Sequence, residues 1–248
     1  MFAGLLAACE PTLTVGDWTC SEDGSPPDPP DIRSPIALPW STGFENRFCD
    51  YTQLGGFCYA APAASYETVT EPVHSGRYAA AFEITSRNAD AYQARCVRQG
   101  MLPTAAYYGA WYFVPAPATN TSNWNLLHFQ GGDPSMQHGL WDVSLVNGDN
   151  GALEVSVFDF LSGRTRRAAT PKPIPIGAWF HLEFYLERAA DTSGEIALYQ
   201  DGELLIEARG LRTDDSRWGQ WYVGNLAYGL TPAASTLYVD DVAIRATR

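Results

Sequence analysis

Two side chains with chemistry to offer sit two residues apart in the run Trp124 to Gly131, WNLLHFQG. His128 carries an imidazole that can take or give a proton near neutral pH, and Gln130 carries an amide that can hold a polar ligand. Side chains alternate across a strand, so this spacing puts both on one face. The run Tyr92 to Arg98 (YQARCVR) offers Arg95 and Arg98, and SGRTRR offers Arg164, Arg166 and Arg167. Guanidinium groups of this kind clamp carboxylates or sulfates. Trp179 to Leu186 (WFHLEFYL) divides into an apolar face of Phe180, Leu182, Phe184 and Leu186 and a mixed face of Trp179, His181, Glu183 and Tyr185. Rings that stack on sugar C–H faces, beside groups that bond hydroxyls, are what a carbohydrate-binding sheet presents. Tyr108, Tyr112 and Tyr185 are phenols that could supply a proton. Each feature also has a plainer reading: a solvent-facing amphipathic strand, a hydrogen-bonded structural histidine, buried tyrosines, a solvated arginine loop.

Other chemistries lack their residues. Retaining or inverting glucanase action needs carboxylates gathered on one strand face, whereas Glu154 and Asp159 are five apart and Asp240 and Asp241 are adjacent, so each pair points apart. There is no Gly-x-Ser-x-Gly elbow and no phosphate-cradling glycine loop. The cysteines and histidines show no close pairing of the kind a metal site uses. A net charge of −12 argues against nucleic acid as a partner. Six of the 28 acidic residues precede Arg33 with no basic residue before it, so the charge of the remainder is milder and an arginine-lined groove for a polyanion is compatible with it.

The elements that would position these groups are strands. Aromatic residues make up 13% and charged residues 18% of the chain, with 22 Gly and 17 Pro, a mixture suited to many strands joined by turns. Alternating runs predict strands near Tyr78–Ile84, Tyr92–Arg98, Tyr108–Val114, Asn125–Gln130, Trp141–Val146, Leu153–Phe158, Trp179–Leu186, Glu195–Tyr199, Leu204–Ala208, Trp221–Gly224 and Leu237–Arg245. Asp201-Gly202 is a type I′ hairpin signal, since both central residues of that turn need positive φ. Asn147 to Gly151 reads as another turn, with a weaker likeness to a calcium loop; no cofactor is called for, and a structural calcium is the one ion such loops would admit.

Three zones follow: 1–9, an apolar start; 10–39, an acidic, proline-rich linker containing SPPDPPD; and 40–248, a folded domain. The first zone, MFAGLLAAC, resembles a bacterial lipobox, which implies acylation of Cys9 and a membrane surface as partner. Cys20, Cys49, Cys58 and Cys96 are then an even set, read as two disulfides of an exported protein. Three connectivities are open. Cys49 with Cys58 would close a short Gly-Gly loop and leave Cys20 to pin the N-terminal segment near Cys96.

From residue 43 onward the features run in the order Gly43-Phe44-Glu45, His74 to Ala79 (HSGRYA), Tyr108 to Pro115 (YGAWYFVP), Trp124 to Gly131, Gly177 to Leu186, Gly194 to Gly202 (GEIALYQDG) and Tyr238 to Val242. This order resembles the concanavalin A-like jelly-roll proteins, particularly polysaccharide lyases of the heparin, glucuronan and alginate lyase type. The resemblance implies an all-β, two-sheet antiparallel jelly-roll sandwich. It also implies β-elimination from a uronic acid: polar or cationic groups neutralise the C5 carboxylate, a His or Tyr removes the C5 proton, and a Tyr protonates the departing O4. Several such families carry Gln-x-His on the catalytic strand; here His128-Phe129-Gln130 has the two in inverted order. Carried onto this sequence, the catalytic candidates are His128, Gln130 and Tyr185, and the substrate-binding candidates are Arg95, Arg98, Tyr112, Arg164, Arg166, Trp179 and His181. The expectation is a monomeric surface lipoprotein that binds an acidic polysaccharide and cleaves it, with a non-catalytic carbohydrate-binding module or a structural surface lipoprotein as alternatives.

Overall fold

The computed structural model describes residue 20 and residues 35–52, 56–85, 91–132, 136–214 and 216–248. In chain order the elements are β1 (Trp40–Thr42), the single turn α1 (Cys49–Thr52), β2 (Phe57–Ala60), β3 (Ala64–Val69), β4 (Ala79–Thr85), β5 (Ala91–Gly100), β6 (Ala105–Phe113), β7 (Thr119–Asn120), β8 (Trp124–Gly131) and β9 (His138–Asn147). They continue as β10 (Leu153–Asp159), β11 (Arg164–Arg167), β12 (Trp179–Glu187), β13 (Gly194–Gln200), β14 (Glu203–Leu211), β15 (Gly219–Tyr228), β16 (Leu230–Thr231) and β17 (Ala234–Arg245). All eleven expected strands are present. Those that alternation did not pick out are short or lie at sheet margins, where too few residues alternate to leave a pattern.

Two antiparallel sheets face each other. One has the order β14-β13-β12-β6-β17-β4-β3, with β1 pairing the C-terminal part of β17; the other has the order β11-β10-β9-β8-β15-β5-β2. This is the jelly-roll sandwich. Alternation sends one residue of every two into the layer between the sheets. Trp124, Trp141, Trp221, Tyr108, Phe129, Phe180 and Phe184 all lie there fully buried. Burying each phenylalanine contributes about 1.5–3 kcal/mol, so this layer dominates the stability of the fold. The Asp201-Gly202 hairpin forms as expected, with φ of 52° and 82° and Gln200 paired to Glu203. Residues 147–151 form a turn closed by Gly148 N–H donating to Ala152 O at 2.8 Å. Among the described residues no three His, Cys, Asp or Glu side chains gather as a metal cradle.

The four described cysteines are in disulfides, but the pairing differs from the local closure expected. Cys58 bonds Cys96, and Cys20 bonds Cys49. The reason is register: Cys58 on β2 and Cys96 on β5 are direct cross-strand partners with Cα atoms 4.0 Å apart, both turned into the core. Cys49 in α1 is left to bond Cys20. Cys9 lies outside the described residues.

Candidate active site

The outer face of the seven-stranded sheet carries a groove of about 740 Å³. Its floor follows from the pairing register, which lines up two rows of residues across the strands. The first row is Phe57, Val97, Tyr222, His128, Asp142, Phe158 and Thr165. The second has Tyr59, Arg95 and Gly224 on one side of an irregularity in the β15–β8 pairing and Asn125, Ser144, Ser156 and Arg167 on the other.

His128 stands at the centre of the first row. Its Nδ1 lies 2.6 Å from Asp142 Oδ1, directly opposite on β9. An N–H there donating to a carboxylate fixes the tautomer and turns Nε2 into the basic nitrogen, which has no partner among the described residues. Burial holds the imidazole below its ordinary pKa, outweighing the hydrogen bond and charge of Asp142, which push the other way. At neutral pH the ring is therefore uncharged and able to accept a proton.

Tyr222 is the direct neighbour of His128 on β15, with ring centroids 5.2 Å apart. Its hydroxyl lies between the amides of Gln130, at 2.9 Å, and Gln220. Gln220 in turn donates to Gln99 Oε1 at 3.0 Å, an amide ladder that holds the phenol still. Burial raises the pKa of Tyr222, so the hydroxyl keeps its proton at neutral pH.

Arg95 is the buried cation of the second row. Its Nη2 donates to Asn125 Oδ1 at 2.7 Å, and its guanidinium lies 5.5 Å from the Tyr222 ring centroid. Two irregularities make that reach available. A bulge in β8 between Asn125 and Leu127 turns Asn125 to the same side as His128, against strict alternation, and from there Asn125 donates to Asp142 Oδ1 at 2.8 Å. Gly224, at φ 142°, lies between Arg95 and Asn125 without a side chain; a Cβ there would sit 2.4 Å from Ala94 O. Asn125 thus ties the arginine to the carboxylate that orients the histidine. On the β10 side, Phe160 lies over Gly139 and within 5.8 Å of His128, giving the groove a half-exposed aromatic wall.

His128, Gln130 and Arg95 therefore meet in one groove. The other expected site residues do not join them. Arg98 is one alternation step out of phase with Arg95 and points to the core side, its guanidinium 4.8 Å over the Trp40 ring. Tyr112 is fully buried between the sheets, its hydroxyl donating to Leu126 O at 3.4 Å. Trp179, His181 and Tyr185 lie on β12 of the other sheet, on its outer surface, among His74, Trp111 and Tyr107. Alternation placed them on one face correctly; which sheet that face belongs to is decided by pairing with β6 and β13. On β11, Thr165 and Arg167 face the groove, while Arg164 and Arg166 have the opposite phase and Arg166 reaches Asp159 at 3.6 Å. Arg167, already noted in the SGRTRR cluster, faces the groove; Asp142, Tyr222 and Phe160 in its lining, and the buried Asn125 behind them, are what spacing did not single out. Asp142 and Tyr222 stood in expected strands, but only register sets them beside His128.

The chain is thus a jelly-roll sandwich with a histidine-centred groove on one sheet, and the sandwich fold is shared with solved structures of polysaccharide lyases. It resembles the endo-β-1,4-glucuronan lyase of the fungus Trichoderma reesei (16% identity, TM-score 0.62, covering 77% of this chain and 90% of that one). It also resembles the cellulose-induced protein Cip1 (15%, TM-score 0.57, 84% and 97%) and the marine PL-14 alginate lyase of Aplysia kurodai (12%, TM-score 0.55, 83% and 97%). At these identities the likeness is one of fold. No protein-family model and no curated protein sequence matches the chain.

Proposed function

We propose that the groove binds a uronic-acid-containing polysaccharide and cleaves it by β-elimination. The observation that carries this reading is the convergence of an uncharged, carboxylate-oriented His128, a protonated Tyr222 and a buried Arg95 on one groove floor. Arg95, held by Asn125, faces the substrate carboxylate and makes the C5 proton acidic. His128 Nε2 takes that proton, the C5–H electrons form the C4–C5 double bond, and the C4–O4 bond breaks. Tyr222 gives its hydroxyl proton to the departing O4. The imidazolium then returns a proton to the phenolate, restoring both groups. Gln130 holds the Tyr222 hydroxyl and acts as a positioning residue.

Incubation with glucuronan or alginate is expected to raise the ultraviolet absorbance of the unsaturated uronate. His128→Ala should abolish that rise, and Tyr222→Phe should lower kcat by about 10²–10⁴-fold while leaving binding intact. Retention on an immobilised uronate polymer with no absorbance rise would instead make the protein a binding module. The two disulfides fit an extracytoplasmic protein. Acylation of Cys9 is a separate proposal, tested by mass spectrometry of the mature N-terminus.

A further inference from the structure

The second row of the groove floor ends on a cation that the reaction does not use. From Asn125 it runs across Ser144 on β9 and Ser156 on β10 to Arg167 on β11. Ser144 and Ser156 are buried, and with such short side chains they leave a shallow polar trench flanked by Phe158 and Thr165 of the first row. Three interstrand steps separate Asn125 from Arg167, about 14 Å. That distance corresponds to a few pyranose units.

Arg167 is exposed and forms no ion pair among the described residues, unlike Arg166 beside it. Acidic groups do lie nearby. Asp149 and Glu154 line a second depression on the far side of Arg167, but the Glu154 carboxylate is turned toward Gly148, where an added Cβ would be 2.2 Å from Oε1. The guanidinium is left as the free positive charge at that end of the trench, with Arg95 the buried one at the other, where it bonds Asn125.

We propose that Arg167 binds the carboxylate of a sugar a few units away from the reacting one, so that the groove selects a run of uronates over an isolated uronate. This rests on the reading of the groove as a uronate-polymer site. It makes Arg167 a specificity determinant acting on binding and not on the chemical step.

The test compares wild type with Arg167→Gln on glucuronan and on the shortest glucuronan oligomer that wild type cleaves. On the polymer, KM should rise about tenfold at low salt with kcat within about twofold, and the wild-type KM should depend more steeply on salt than the variant's. On the short oligomer the two proteins should have matching KM. In a His128→Ala background, calorimetry with a glucuronan hexamer should show the same loss of affinity on adding Arg167→Gln, and Arg167→Lys should restore part of it. Equal KM and equal salt dependence for wild type and Arg167→Gln on the polymer would overturn the inference and leave the lyase reading standing. A wild type that neither binds nor cleaves any uronate polymer would overturn both.

Discussion

At the scale of single residues, the site depends on how His128 is held. Its burial and its bond to Asp142 oppose one another in setting the charge of the ring, and burial is the larger effect. The form needed for catalysis is the neutral one, so activity is lost as pH falls through the folded pKa. That pKa lies below the ordinary 6.5, and the acid limb of kcat/KM is therefore expected to have its midpoint below pH 6.5. Asp142→Asn removes the two influences that raise the pKa, so the limb should move further toward acid. The same change loosens the tautomer and ring orientation, and kcat should drop by about 10²-fold or more. Steady-state pH profiles of the two proteins measure both effects; an unchanged kcat in Asp142→Asn would remove the carboxylate from the mechanism. Asn125 and Asp142 could not be read from spacing around His128. Period-two alternation puts Asn125 on the opposite face, and only the bulge in β8 reverses that.

At the scale of elements, the placement of Arg95 depends on how closely β15 passes β5. β15 runs between the strands that carry Arg95 and Asn125, and residue 224 is glycine where a Cβ would meet the β5 backbone. Gly224→Ala would place a methyl group 2.4 Å from Ala94 O and 2.8 Å from Arg95 Cα, in a backbone conformation at φ 142° that L side chains rarely adopt. Stability should fall by about 1–3 kcal/mol, measured by urea unfolding. Activity should fall further than the folded fraction does, because the shift displaces Arg95 itself. A variant that loses stability but keeps kcat/KM when folded would show that Arg95 does not need its bond to Asn125. A similar dependence on pairing explains β12. Its two faces were legible as apolar and mixed, yet membership of the eight-stranded sheet moves Trp179, His181 and Tyr185 to the opposite side of the molecule from His128.

At the scale of the whole molecule, the sandwich is closed by a large aromatic core and two disulfides. Cys58–Cys96 joins β2 to β5, the strands that carry Tyr59 and Arg95, so it supports the groove as well as the fold. Replacing both cysteines by alanine should lower unfolding free energy by about 2–4 kcal/mol and reduce activity through loss of order at the β2 edge. Thermal unfolding of the double variant, beside wild type under reducing and oxidising conditions, checks the first part. Replacing Cys20 and Cys49 instead should leave the groove chemistry unchanged, since α1 contributes no side chain to the floor.

The sequence by itself determined the period-two strands, the Asp201-Gly202 hairpin, the all-β architecture, and the shared face of His128 and Gln130, because these are set by neighbours a few residues apart. Tertiary structure decided which strands stand side by side, which sheet each amphipathic face joins, which cysteines meet, and that Tyr222, Arg95, Asn125 and Asp142 surround His128. Those outcomes rest on the register between strands as far apart in the chain as β5 and β15 and on bulges that shift alternation by one residue, and no local spacing encodes either.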